Sequence, residues 1–174
     1  MSKDIRIKKG LSISLKGEAE MRTESAKESQ TFKVRLDDFH GLTPKLIHKE
    51  NAQVSKGEPL FFDKNNEEIL FVSPVSGTVT EIKRGGRRRV LNISIKADGK
   101  NNCVDYKAFD FSGKNAEDVK QHLLKSGCWP YIKQRPYDVI ARPDQNPKAE
   151  FISAFNSGPL QPNLEYILKG NEDK

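Results

Sequence analysis

The stretch KLIHKENAQVSKGEPLFFDKNNEEILFVSPVSGTVTEI, residues 45–82, decides the fold. Short apolar runs (KLIH, LFF, ILFVS, TVTEI) alternate with segments rich in Gly, Pro, Asn and charge. Runs this short, broken every few residues by turn formers and lacking a 3.6-residue period, predict β-strands and leave no room for an α-helix. The pattern extends outward on both sides, to TFKVRL from residue 31 and, past the basic break KRGGRRR, to VLNISI ending at residue 95. Residues 31–95 therefore predict a compact β barrel or sandwich. Within it VSKGEPL at 54–60 and PVSGTVTEI at 74–82 echo one another, each placing a glycine beside a short strand. Glycine there is expected to supply a positive φ at two related turns of a pseudo-symmetric barrel.

Further toward the N-terminus, Ile5, Ile7, Leu11, Ile13 and Leu15 fall on odd positions, the period of a half-buried strand interrupted at Gly10. Residues 16–31 are almost wholly polar and can bury little, so they read as a surface insertion, locally helical or without regular structure. After residue 98 the character changes. Asn115 precedes AEDVKQHLLKSG, an acidic first turn with apolar Val119, Leu123 and Leu124 and a terminating Gly127, which predicts a capped helix. Trp129-Pro130-Tyr131 opens a short turn, the residue before Pro136 is biased away from helix, and AEFISAF at 149–155 reads as a strand running into the SGPLQPN loop. Helix, short helix, strand and loop in that order suggest the beginning of an α/β domain. The expected organisation is α+β, with a barrel domain over 1–98, its polar insertion near 16–31, and the start of a truncated α/β domain over 99–174.

Composition bounds the chemistry. The chain has 174 residues, 31% charged, with a formal net charge of +6. Its mean hydropathy is −0.71 and its pI about 9.2. No apolar run approaches the roughly 20 residues that span a bilayer, and MSKDIRIKKG lacks the apolar core of a secretory signal. Cys103 and Cys128 form no CxxC, and His40, His48 and His122 stand apart, so no metal or iron–sulfur ligand set is spelled out. A basic chain suits an acidic partner, an anionic lipid surface or nucleic acid without choosing among them.

The turn phrases of residues 45–82 are similar to the lipoyl and biotinyl carrier pattern: Val54, Gly57 and Leu60 supply its first part, and Pro74, Gly77 and Val79 its second. That resemblance implies a barrel-sandwich hybrid whose acceptor lysine stands at a hairpin tip, where only Lys64 is a candidate. The surrounding DKNNEE departs from the pattern that modifying ligases read, and the hairpin looks about two residues longer than the pattern. Lys64 therefore reads as an exposed turn lysine, with a carrier modified at Lys64 as the alternative.

A wider resemblance covers nearly the whole chain. IRIKKGLSISLKG, the block from KLIH to VLNISI, and RPYDVIARPDQNPKAEFISAFNSGPLQP together resemble the N-terminal third of the A subunit family of sodium-translocating NADH:quinone reductases. SPVSGTVTEIKRG and FISAFNSGPLQP are its most specific phrases. The resemblance implies a barrel-sandwich hybrid followed by the opening of a Rossmann-like domain, in a peripheral subunit on the cytoplasmic face of a bacterial inner membrane. It implies a scaffold or quinone-end role, with flavins and an iron–sulfur centre in partner subunits, quinone as substrate of the complex, and no cofactor, metal or catalytic group on this chain. The C subunit of the related ferredoxin-driven electron-transport complex shares the barrel, but its His-Pro-rich opening is missing here.

Three residue groups are candidates for function. Lys83, Arg84, Arg87, Arg88 and Arg89, set around Gly85-Gly86, form a basic hairpin suited to an anionic headgroup or an acidic partner subunit, or simply to protecting strand edges with charge. Trp129, Tyr131 and Phe155, with Phe151, offer flat rings that could wall a quinone or fill a core. Asp37, Asp38 and His40 form a close carboxylate–imidazole group and read as turn residues. SGPLQPN has one glycine and two prolines, too few glycines for a phosphate cradle, and nucleic acid is not an expected partner.

Overall fold

The structure, a computed structural model, describes residues 15–110, 112–113, 115–152, 158 and 160–169. The chain divides into two compact units, Lys27–Asn146 and a second made of Met1–Ala26 with Pro147–Lys174.

The larger unit is built on seven strands: β1 (Thr31–Arg35), β2 (Pro44–Leu46), β3 (Gln53–Val54), β4 (Pro59–Asp63), β5 (Asn66–Val72), β6 (Gly77–Arg84) and β7 (Val90–Ala97). They form a four-stranded sheet in the order β1-β7-β6-β3 and a three-stranded sheet in the order β2-β4-β5, with every pairing antiparallel. Alternation explains the packing. Ile69 and Phe71 of β5, Val79 of β6, and Ile93 and Ile95 of β7 are buried in the core, while the residues flanking Ile69, Phe71 and Val79 are more exposed; on β7 Ser94, between the two isoleucines, is buried as well. The inner faces of the two sheets share one apolar cluster in which Leu60, Phe61, Val79 and Ile95 are almost without solvent contact. Phe61 stacks on Phe71 with ring centroids 4.4 Å apart, and Phe39 meets Phe71 edge-on at 4.9 Å.

The expected strands are present with shifted boundaries. KENAQVSKGEP, read as a break, contains the two-residue β3, and the DKNNEE break narrows to a turn at Lys64-Asn65 because Asn66, Glu67 and Glu68 belong to β5. Glu67 and Glu68 are exposed and Asn66 half-exposed at this end of the strand, so their polar side chains stay in reach of water. The two echoed glycines do different work. Gly57 takes φ +83°, as a turn glycine should. At Gly77 the requirement is space, since an added Cβ would stand 2.0 Å from the Lys96 carbonyl oxygen on β7.

Beyond the barrel strands, α1 (Ala116–Lys125) forms as the sequence predicts. The Asn115 side chain accepts a hydrogen bond from the Asp118 N–H at 2.8 Å. Gly127, at φ +72°, closes the other end, with the Cys128 N–H bonding back to the Leu123 carbonyl and the Gly127 N–H to that of Leu124. Leu124 enters the barrel's apolar cluster, and a Cβ on Gly127 would lie 2.6 Å from Val72. A short turn at Trp129–Tyr131 follows, then a small hairpin of β8 (Lys133–Gln134) and β9 (Val139–Ile140), which contributes Ile140 to the same cluster. The residue-98 boundary drawn from the sequence falls inside the Lys27–Asn146 unit.

In the other unit, residues 15–26 carry no helix or strand and are almost entirely exposed, with Arg22 pairing to Glu20 and Glu24. The alternating stretch from Ile5 lies outside the described residues except at Leu15. The strand expected over AEFISAF is not found over its described part, 149–152, where Phe151 and Ile152 are each 94% exposed. β propensity is realised only against a pairing strand, and none among the described residues pairs with this segment. The rest of that stretch, with Phe155, lies outside the described residues. A short helix, α2 (Leu164–Leu168), is capped by Asn163 and was not expected from the sequence.

Candidate functional site

The basic hairpin joins the two longest strands. β6 and β7 pair from Gly77 to Arg84, so Lys83 and Arg84 are strand residues while Arg87, Arg88 and Arg89 belong to the turn. That turn is closed by the Gly85 N–H bonding to the Arg89 carbonyl at 2.8 Å. Arg87 and Arg88 sit at φ +53° and +61°, a left-handed conformation that costs a non-glycine residue about 1–2 kcal/mol.

The five cations are not equivalent. Arg89 is ion-paired with Asp37. Arg84 donates from Nη1 to the Arg88 carbonyl at 3.3 Å, which draws its guanidinium back over the turn. Among the described residues neither Arg84 nor Arg88 has a carboxylate partner, and both line a groove of about 410 Å³ between the turn and the 36–44 segment. Arg84 also borders a second groove, of about 670 Å³, with Leu46, Ile47 and Ile82. Lys83 and Arg87 line neither.

The carboxylate–imidazole group is divided among separate partners. Asp37 holds Arg89, Asp38 lies 3.6 Å from Arg35, and His40 Nδ1 lies 3.8 Å from Asp138. With each group on a different partner, the three form no acid–base constellation. Trp129 is half-buried, packed on the barrel cluster, and donates from its indole N–H to the Ala141 carbonyl at 2.8 Å. Tyr131 is 75% exposed and meets Phe39 edge-on at 6.2 Å. Lys64 is exposed at the first of the two residues that join β4 to β5. That tip is braced by the 41–44 loop: Thr43 accepts the Lys64 N–H at its carbonyl and donates its own N–H to Asp63, while the Asn65 amide donates to the Thr43 hydroxyl.

Sequence reading missed the polar ties that fix the barrel's turns. Tyr106 donates its hydroxyl to the Gly57 carbonyl at 2.6 Å. Burial, then the neighbouring Cys128 and Glu58, hold its phenol above the usual range. Ser76 donates to Asp98 at 2.7 Å and the Lys100 N–H adds a second bond, so the Asp98 carboxyl lies below its ordinary value. Glu58 faces His48 at 3.2 Å and caps the Ser55 N–H. The turn phrases around Gly57 and Gly77 marked this region in the sequence, but none of its polar partners. Cys103 and Cys128 are both free thiols, and no cluster of three metal-ligating side chains occurs among the described residues.

Two facing antiparallel sheets with glycine-marked crossover turns and a two-residue hairpin tip define a barrel-sandwich hybrid. Residues 5–98 match the NqrA N-terminal barrel-sandwich hybrid domain, and residues 114–174 match the NqrA second alpha/beta domain. The chain belongs to the NqrA N-terminal barrel-sandwich hybrid family, and in fold class that barrel is followed by a stretch matching the second alpha/beta domain. Its relatives include proteins named as the A subunit of Na(+)-translocating NADH-quinone reductase from Histophilus somni strain 2336, 32% identical over 95% of this chain, and from Tolumonas auensis, 34% identical over 95%. The homologue of that name in Pseudomonas aeruginosa is 30% identical over 94%. The chain spans 37–38% of the length of these relatives.

Proposed function

We propose that this chain forms the N-terminal part of the A subunit of a sodium-translocating NADH:quinone reductase, where its barrel is a scaffold rather than a carrier or a redox centre. The observation that carries this is the succession of both NqrA domain matches, in order, along one chain. The enzyme as a whole would pass electrons from NADH to a quinone and move sodium. Flavins and an iron–sulfur centre would be held by partner subunits, with this chain near the quinone end on the cytoplasmic face of the membrane. Among the described residues no helix is long and apolar enough to cross a bilayer, which is compatible with peripheral attachment. The basic hairpin, with Lys83, Arg84, Arg87, Arg88 and Arg89, makes the contact to an anionic surface, and Tyr131 is one of the exposed aromatics, with Phe151, available to a quinone-side partner.

The departure of the DKNNEE flanks from the carrier pattern supports a scaffold; the brace fixes the backbone of the β4–β5 tip and leaves the Lys64 side chain exposed. The test is the absorption spectrum and intact mass of the purified chain after coexpression with lipoate and biotin ligases. The chain should be colourless and carry no adduct. A stoichiometric flavin or iron spectrum would overturn the scaffold reading, and an adduct on Lys64 would replace it with the carrier.

A further inference from the structure

The groove between the arginine turn and the 36–44 segment has features that a strand-protecting hairpin does not require. Its two guanidiniums without a carboxylate partner among the described residues, Arg84 and Arg88, stand over a floor to which Leu36, Phe39, Leu42 and Val90 contribute. The only carboxylate lining it, Asp37, is taken by Arg89. The volume, about 410 Å³, lies within the range of small-ligand sites. Arg88 reaches this place through a left-handed backbone although Gly85 and Gly86 stand beside it in the same turn. Arg87, in the same left-handed conformation, lines neither groove, so it is the placement of Arg88 rather than the strain that marks it.

We propose that this groove binds a phosphate-bearing ligand. The guanidiniums of Arg84 and Arg88 would take the phosphate oxygens, and the apolar floor would take the organic part. Guanidinium forks match the spacing of phosphate oxygens, and charge-assisted bonds of this type are among the strongest available to side chains. The bond from Arg84 Nη1 to the Arg88 carbonyl ties the two residues together and leaves the other Arg84 donors for the ligand. The phosphate could come from a lipid headgroup or from a soluble phosphate ester. This deepens the hairpin-contact part of the proposed function by confining recognition to two of its five cations.

The test uses the full chain and two charge-matched variants, R84Q/R88Q and K83Q/R87Q. Inorganic phosphate is titrated while backbone amide resonances are followed, and thermal melts check that both variants fold. Saturable shifts should concentrate in the 36–44 and 84–90 segments. R84Q/R88Q should weaken binding about tenfold or more, whereas K83Q/R87Q stays within about twofold. Vesicles of phosphatidylcholine with and without phosphatidic acid then separate the sources. Binding to the phosphatidic acid vesicles that phosphate displaces assigns a lipid headgroup, and saturable phosphate binding without vesicle binding assigns a soluble ester. Equal weakening by both variants would overturn the groove while leaving the hairpin contact standing. Shifts that never saturate, or insensitivity to both variants together with no vesicle binding, would overturn both.

Discussion

At the residue scale two positions govern the barrel more than composition suggests. Gly77 faces the β7 backbone so closely that a methyl group has nowhere to go. Gly77→Ala should therefore cost about 3 kcal/mol or more, because relief requires moving a backbone carbonyl rather than a flexible side chain. Urea unfolding followed by circular dichroism would measure it, and a loss below about 1 kcal/mol would mean that β6 and β7 are not in this register. Tyr106 ties a later segment to the Gly57 turn. Its phenol is held above the usual range, chiefly by burial, so the neutral form is favoured in the folded state. The stability this gives is fully present below the ordinary phenol value of about 10 and is lost as pH rises through the folded value. Wild-type stability should fall on that alkaline side by an amount missing in Tyr106→Phe, which at neutral pH should itself be weaker by about 1 kcal/mol. Matching alkaline profiles for the two proteins would contradict the assigned cause.

At the element scale the short strands were legible because their alternation and turn residues agree, and α1 was legible from its cap, its acidic first turn and Gly127. Where α1 packs was not legible. An amphipathic helix announces that it buries a face, not what it buries that face against, and here Leu124 joins the barrel strands. Leu124→Ala should cost about 3 kcal/mol and loosen the barrel amides of β5 as well as the helix, read by hydrogen exchange. Loss of protection in α1 alone would mean that the helix is not part of the barrel's core. The hairpin of β8 and β9 escaped sequence reading because two-residue strands carry no period. AEFISAF misled for the opposite reason, a good local pattern without a neighbouring strand over its described part.

At the scale of the whole molecule, the sequence disclosed the basic cluster but not its internal division. Five cations in seven residues look alike on paper. Folding sorts them, giving Arg89 to Asp37, leaving Lys83 and Arg87 outside both grooves, and setting Arg84 and Arg88 over one of them. The partner Asp37 is far off in sequence, so no local motif could have revealed that sorting. The candidate carboxylate–imidazole group dissolved by the same mechanism, each member finding a different partner. The chain is one of the NqrA family; that its barrel supports and its charged turn makes contact is what we propose. The decisive measurement is affinity purification of the protein carrying this chain from detergent-solubilised membranes, with NADH:quinone reductase activity assayed with and without sodium. Co-purification of further subunits with sodium-stimulated activity is expected. Recovery of the protein free of other subunits and of any such activity would contradict the scaffold assignment.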